Sequence, residues 1–343
     1  MLEVATVRRS SSCIAGAGSS SGGPRCSSVR SWLLLGFFST SSVACSHGTD
    51  CREVQHASAR LRPAPPGAVR LIAVGDVGDG NSSQRRVAHA MSDRCIRAGG
   101  CDAVMLLGDN FYDSGVRDLD DAQWVSKFEE PYSLPSLAVP FYAVLGNHDT
   151  ASNWFAQIQY TYLPVGSGRE MRRSARWEMP AMFYDVRIRY VQLFALDTMH
   201  PSELQARSMS TRLRDSDAIW KITFGHHPRY SSKTPMEEDR MLDREGLGAT
   251  QRAAYCGADL FVSGHDHHLE LIGAGRDPKC PNVWFVVSGA GSRTSTTDKR
   301  DRGSLFAQGK RLGFAYLELT PHELYLEFVD ACGNPLYSAT KQK

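Results

Sequence analysis

The sequence has almost no net charge. Its 39 Lys and Arg nearly balance 37 Asp and Glu over 343 residues, leaving +2. There is no basic field to hold nucleic acid and no acidic tail to act as a solvating arm. No apolar run approaches the roughly 20 residues that a membrane-spanning helix requires. None of the nine cysteines falls in a CxxC pair, so a cysteine-held zinc site is not indicated. Internal repeats and heptads are missing too, which excludes solenoids and coiled coils. What remains is a chain that is 42% apolar, enough for one large domain or two small ones of roughly 100–200 residues each.

The first 66 residues differ from the rest. MLEVATVRRSSSCIAGAGSSSGGPRCSSVR has no apolar period, and its polar length before Arg30 is unusual for a signal. Arg30 then precedes a brief apolar core, Trp32 to Phe38, followed by small residues and Cys45. A positive flank, a short apolar run and a small-residue cleavage site are the layout of an export signal. Ser42 to Cys45 also resembles a bacterial lipoprotein cleavage box, with Ser42 where Leu is usual, so Cys45 is a candidate lipid attachment point and membrane tether. The alternative is plain secretion. If Cys45 carries a lipid, Cys51, Cys95, Cys101, Cys256, Cys280 and Cys332 remain in the exported chain. That even number points to disulfides whose pairing spacing does not reveal. Residues 1–45 are thus read as a leader. Residues 46–67, with their Pro-Ala-Pro-Pro-Gly, are read as a flexible linker. Residues 68–343 are read as the catalytic domain.

Within 68–343, apolar runs of strand length recur: AVRLIAV (68–74), DAVMLL (102–107), VPFYAVL (139–145), MFYDVRIRYVQLFAL (182–196), IWKITF (219–224), DLFVS (259–263), VWFVVS (283–288) and FAYLELTPHELYLEFVD (314–330). Most are rich in Val, Phe and Tyr. The early runs are separated by helix-like segments, SSQRRVAHAMSDRCIRAG and DLDDAQWVSKFEEPYS. The later ones pair like hairpins. The mixture implies a core of partly parallel β-α-β units with added antiparallel strands.

Five runs end in a glycine followed by ligand-type residues. GDVGDG supplies Asp76, GDNFY supplies Asp109 and Tyr112, GNHD supplies Asn147, His148 and Asp149, GHHP supplies His226 and His227, and GHDHH supplies His265, His267 and His268. A glycine there allows a sharp exit and close backbone approach. Ligands of open α/β sheets lie just beyond the carboxyl ends of the strands. Carboxylates mixed with imidazoles suit Zn, Fe and Mn better than Ca or Mg. Seven such groups are more than one ion needs, whereas two ions about 3.5–4 Å apart, sharing a carboxylate, would use them, and the usual substrate of that arrangement is a phosphate ester. Each piece alone has a bland reading as a turn or a loop-start pair. In this order, each at a strand end, they make a joint signature.

The series GDVG, GDNFY, GNHD, GHHP, GHDHH resembles the calcineurin-like metallophosphoesterase superfamily. Within it, the chain is similar to the purple acid phosphatases of the small, tartrate-resistant type over roughly residues 68–330. FALDT (194–198) and VVSGAGS (286–292) share the likeness, and Tyr112 is its most specific mark. The resemblance implies an α/β (α+β) fold, a four-layer α/β/β/α sandwich with mixed sheets. It implies two metal ions: Fe(III) held by Asp76, Tyr112 and His267, and a divalent Fe, Zn or Mn held by Asn147, His226 and His265, with Asp109 bridging. It places His148 at the phosphate and implies an exported acid phosphatase acting on small phosphate monoesters through a metal-bound hydroxide, with no nucleic acid partner and as a monomer.

The chain departs from mammalian-type relatives where His227 replaces a Tyr, and where RYSSKTPMEEDR (229–240) lacks their further His. His227 is therefore the candidate stand-in for the auxiliary acid. His268 is expected behind the ligands or facing solvent, and Asp79 and Asp149 as turn or supporting carboxylates. Two other functions stay open: a phosphodiesterase or nucleotidase on the same scaffold, and a surface lipoprotein that keeps the fold only for binding.

Overall fold

The computed structural model describes residues 65–233, 252–297 and 300–343. The leader, Cys45, Cys51, most of the linker and residues 234–251 lie outside the described residues.

Among the described residues, two seven-stranded mixed sheets carry the fold. The first contains β1 (Val69–Val74), β2 (Ala103–Leu106), β3 (Phe141–Ala143), β4 (Trp177–Glu178), β12 (Gly313–Leu319), β13 (Glu323–Asp330) and β14 (Pro335–Gln342), in the order β14-β13-β12-β1-β2-β3-β4. From β1 to β4 the pairing is parallel, and from β1 to β14 it is antiparallel. The second contains β5 (Tyr184–Ile188), β6 (Val191–Ala195), β7 (Trp220–Phe224), β8 (Leu260–Ser263), β9 (Leu269–Ile272), β10 (Trp284–Ser288) and β11 (Ser304–Gln308), in the order β11-β9-β10-β8-β7-β6-β5. Here β6, β7, β8 and β10 run parallel to one another, while β5 pairs antiparallel with β6, and β9 with both β10 and β11.

Successive strand side chains point to opposite faces, and that alternation builds two cores. On the second sheet Val191, Leu193, Leu260, Val262 and Val286 join one buried cluster with the apolar residues of β1, β2, β12 and β13. Their neighbours Phe194, Phe261 and Phe285 turn outward onto Met209 and Leu213 of α2 (Glu203–Asp215). The first sheet is covered by α1 (Ser82–Ala98), whose Val87, Ala88 and Met91 reach the shared core. Helix, sheet, sheet and helix are the layers expected from the resemblance.

Helix α1 starts at Asn81, whose side chain accepts from Gln84 N–H, and stops at Gly99, left-handed at φ 79° with its N–H turned back to Cys95 and Ile96. The Cys95–Cys101 disulfide ties that end toward β2. Cys256 pairs with Cys280, and Cys332 is disulfide-bonded as well.

The second helix-like segment, 118–133, is not an α-helix: its helical stretch is Trp124–Glu129, of the wide π type, with turns on either side. The Asp118 and Asp121 carboxylates accept N–H groups of Asp120, Arg117 and Gln123, which offers the backbone an alternative to the helical ladder.

Candidate metal centre

Strands β1, β2 and β3 of one sheet and β7 and β8 of the other release their chains at one rim. The exits of β1 and β2 are laced together by Asp76 N–H to Gly108 O at 3.0 Å, Gly78 N–H to Asp109 O at 3.1 Å and Tyr112 N–H to Gly78 O at 2.9 Å. Phe111 is fully buried against Trp124 and Trp177. With Phe111 anchored in that aromatic cluster, the Tyr112 ring turns toward the exits of β1 and β8.

The donor atoms of the seven residues form two groups. In the first, the Tyr112 hydroxyl lies 3.1 Å from Asp76 Oδ1 and 3.2 Å from His267 Nε2, and His267 Nε2 lies 3.3 Å from Asp76 Oδ1. In the second, His226 Nε2 lies 3.0 Å from Asn147 Oδ1, and His265 Nδ1 lies 3.2 Å from each of them. Asp109 joins the two. Its Oδ1 is 3.6 Å from His226 Nε2 and accepts His148 N–H at 3.0 Å, and Asp76, Asp109 and His226 each offer a ligand atom to one mutual cluster.

The second group has a chemical peculiarity. His226 Nδ1 meets the Leu107 carbonyl at 2.8 Å. A carbonyl only accepts, so Nδ1 carries a proton, and a ring with that single proton presents a lone pair at Nε2. That lone pair faces Asn147 Oδ1, another acceptor. Two acceptors at hydrogen-bond distance repel unless a cation lies between them, so the donor set fits a metal ion.

The backbone is strained in support of this arrangement. Asp76, Asp109 and His265 all sit in the left-handed region, at φ 59°, 52° and 65°, a conformation costing on the order of 1–3 kcal/mol each for non-glycine residues. The exits also run too close for side chains. A Cβ on Gly146 would lie 2.2 Å from Asp109 Oδ1, and one on Gly108, itself at φ 85°, would lie 2.6 Å from His226 Nδ1.

Charge follows the same pattern. Burial, reinforced by Asp76 and Asp109, pushes the Tyr112 phenol far above its ordinary range. Burial pushes Asp76 up, but the His267 hydrogen bond and the surrounding imidazoles outweigh it and hold the carboxyl below its usual range. Burial, then repulsion from Asp109, raises Asp149 to about 7. A bound cation opposes each rise.

Of the residues read as possible catalysts, His148 is half-buried beside Tyr112, with ring centroids 4.7 Å apart, and its Nδ1 donates to the Asp113 carbonyl. His227 is buried, its Nδ1 on Thr198 Oγ1 at 3.0 Å and its ring 4.5 Å from that of His265. Burial and the neighbouring imidazoles hold His227 well below its ordinary pKa. Asp149 is fully buried and accepts the N–H groups of Asn110, Phe111 and Gly146 and the amide of Gln157. It knits the exits of β2 and β3. His268 does not face solvent: it is fully buried behind the donor residues and paired with Glu270 at 2.9 Å.

Three supporting residues were not legible as such. Thr198 receives the N–H groups of both His226 and His227 on one hydroxyl; the signal available was its place in FALDT. Lys127 donates to the Tyr112 carbonyl. Arg293, directly after VVSGAGS, lies over the Tyr112 ring.

Fold and rim define a metallophosphoesterase. The calcineurin-like phosphoesterase family matches residues 69–269, a span that contains all seven donors. The chain belongs to that family and, within it, to the purple acid phosphatases; its class of activity is phosphoric monoester hydrolysis, and it is metal-dependent. Purple acid phosphatase 4 of Arabidopsis thaliana is 30% identical over 325 residues, covering 89% of this chain and 91% of that protein. Tartrate-resistant acid phosphatase type 5 of Sus scrofa is 28% identical, covering 80% of this chain and 87% of that protein. Among solved structures, GAP50, the anchor in the inner membrane complex of Plasmodium, shares the fold at a TM-score of 0.64 and 22% identity, over 80% of this chain and 89% of that one. Among the described residues no helix is long and apolar enough to cross a membrane.

Proposed function

We infer that the protein is an exported acid phosphatase with two unlike metal ions, Fe(III) on Asp76, Tyr112 and His267 and a divalent Fe, Zn or Mn on Asn147, His226 and His265, with Asp109 shared. The observation that carries this reading is the division of the seven donors into two groups of three joined by Asp109. When bound, the ions supply Lewis acidity, which promotes ionisation of water near neutral pH and neutralises phosphate charge.

This chain's residues do the rest. His148, its Nδ1 proton committed to the Asp113 carbonyl, turns Nε2 to the phosphate and the departing alcohol, donating a hydrogen bond when protonated. Its backbone N–H fixes the Asp109 carboxylate. His227 is the second candidate acid. Its ring is held on Thr198 at the side of the divalent group, and it acts on the leaving alcohol only by taking up a proton that its burial disfavours. The leader and Cys45 support export with a lipid tether, residues 68–343 form the catalytic unit, and the working state is a monomer.

The test is turnover of p-nitrophenyl phosphate against bis(p-nitrophenyl) phosphate by the protein reconstituted with iron and a divalent ion, from acid to neutral pH. Faster monoester hydrolysis with an acid optimum is expected. Preference for the diester moves the protein to the phosphodiesterases. Hydrolysis of neither, with both ions bound, overturns the catalytic reading in favour of a binding role.

A further inference from the structure

The geometry points to Arg293 as a positioning residue that clamps the Tyr112 ring from its face and holds the corner from which His148 reaches substrate; this rests on the ferric reading of the Tyr112 group. The guanidinium carbon lies 3.7 Å from the Tyr112 ring centroid, well inside cation–π range. Its fork is fixed. Nε lies 3.1 and 3.0 Å from the two Asp79 oxygens, Nη2 lies 2.7 Å from Asp79 Oδ1, and Nη2 also donates to Asp113 Oδ1 at 2.8 Å. Asp79 is itself held by the Ser292 hydroxyl at 2.9 Å. The Asp113 carbonyl is the group that orients His148. One side chain thus spans the β1 exit, the tyrosine ligand and the residue next to it.

An exposed arginine at a phosphatase rim suggests a phosphate receptor. Here two carboxylates already meet its charge, and only 34% of its side chain is accessible. The planar fork also matches the carboxylate and the ring in a way that a lysine ammonium does not.

A cation over an aromatic face lowers the energy of the ring's filled π orbitals. The visible absorption of a ferric–tyrosinate pair moves an electron out of those orbitals. Arg293 therefore keeps that absorption at shorter wavelength than Tyr112 alone would give, and removing it moves the band to longer wavelength.

The experiment uses the full chain loaded with iron and zinc, as wild type, Arg293→Met and Arg293→Lys. It reads iron content, the visible maximum, and kcat and KM for p-nitrophenyl phosphate. The Met variant is expected to keep its iron and shift the band to longer wavelength on the order of 10 nm. The Lys variant, with charge retained but fork lost, should shift less. In the Met variant kcat should fall roughly tenfold with KM within about twofold, as misplacement rather than lost binding predicts. A maximum unchanged in both iron-replete variants overturns the role of Arg293 and leaves the ferric reading standing. A rise in KM at unchanged kcat also overturns it, in favour of a substrate receptor. An iron-replete wild type without the band removes the ferric reading and this inference together. If the Met variant does not fold, the Lys variant, which keeps the charge beside Asp79, decides on the same readouts.

Discussion

The two donor groups of the rim differ in kind. The Tyr112 group offers a carboxylate, a phenol and one imidazole; the Asn147 group offers an amide oxygen and two imidazoles. The first is able to carry two negative charges and the second none. Hard anionic oxygens favour a small, highly charged ion, and neutral nitrogen-rich sets favour a borderline divalent one. Their supports differ accordingly. Arg293 and Lys127, two cations, brace the anionic group, whereas a carbonyl and a hydroxyl, Leu107 O and Thr198 Oγ1, brace the neutral one. The lesson is that asymmetry between the two donor groups is built by the surroundings as well as by the donors themselves.

The largest effect is expected where the two groups meet. Asp109→Ala removes the shared carboxylate, so both ions should be lost and kcat/KM should fall by on the order of 10⁴ or more. Metal analysis beside p-nitrophenyl phosphate turnover checks this. Retention of one ion at full occupancy would show that Asp109 belongs to a single group.

The next pair of variants separates the groups. Tyr112→Phe should abolish the visible band and lower kcat by roughly 10²–10³, leaving divalent content near one per chain. Asn147→Ala should do the reverse, with colour kept, the divalent ion lost and activity down by a similar factor. Absorption spectra with metal content on both variants decide it. Equal loss of both ions in each variant would break the comparison and make the rim one cooperative unit.

Legibility in the sequence followed the same division between local and distant causes. The donors that converge at the rim were readable because each follows directly on a strand, and each strand-glycine-donor motif is local. The buried strands β1, β7, β8 and β12 were readable because continuous apolar runs suit two-sided burial. Short or peripheral strands were not. β9 spans four residues behind GHDHH, and β14 alternates half-buried and exposed positions at a sheet edge. Arg293 escaped notice because its partner Asp79 is 214 residues away, and a contact of that separation leaves no local pattern. For His268 two placements stayed open, behind the ligands or facing solvent, and burial on Glu270 selects the first, because the turn after His265 is set by its left-handed backbone and not by residue type.

Asp149 ties the strand exit that carries Tyr112 to the one that carries Asn147, so its loss should act on stability. Asp149→Ala leaves several buried N–H donors without their acceptor, a change of about 2–4 kcal/mol. A clear fall in Tm in the metal-free protein is expected, and the loaded protein should weaken for both ions together. A selective loss of one ion at unchanged Tm would assign the carboxylate to that group alone.

The smallest effect tests the neutral group by itself. Thr198→Val keeps the side-chain shape but removes the hydroxyl that receives the N–H groups of His226 and His227 and bonds His227 Nδ1. Its neighbour Gly225 already lies so close that a Cβ there would sit 2.6 Å from Thr198 Cγ2, so the methyl packing should survive and the loss be confined to the hydrogen bonds. Divalent affinity should drop by about tenfold while the visible band stays where it is, read by competition with a chromogenic chelator on the iron-replete protein. A shifted band would mean that the hydroxyl on one side of the rim tunes the tyrosine on the other, and that the two groups share their supports as they share Asp109.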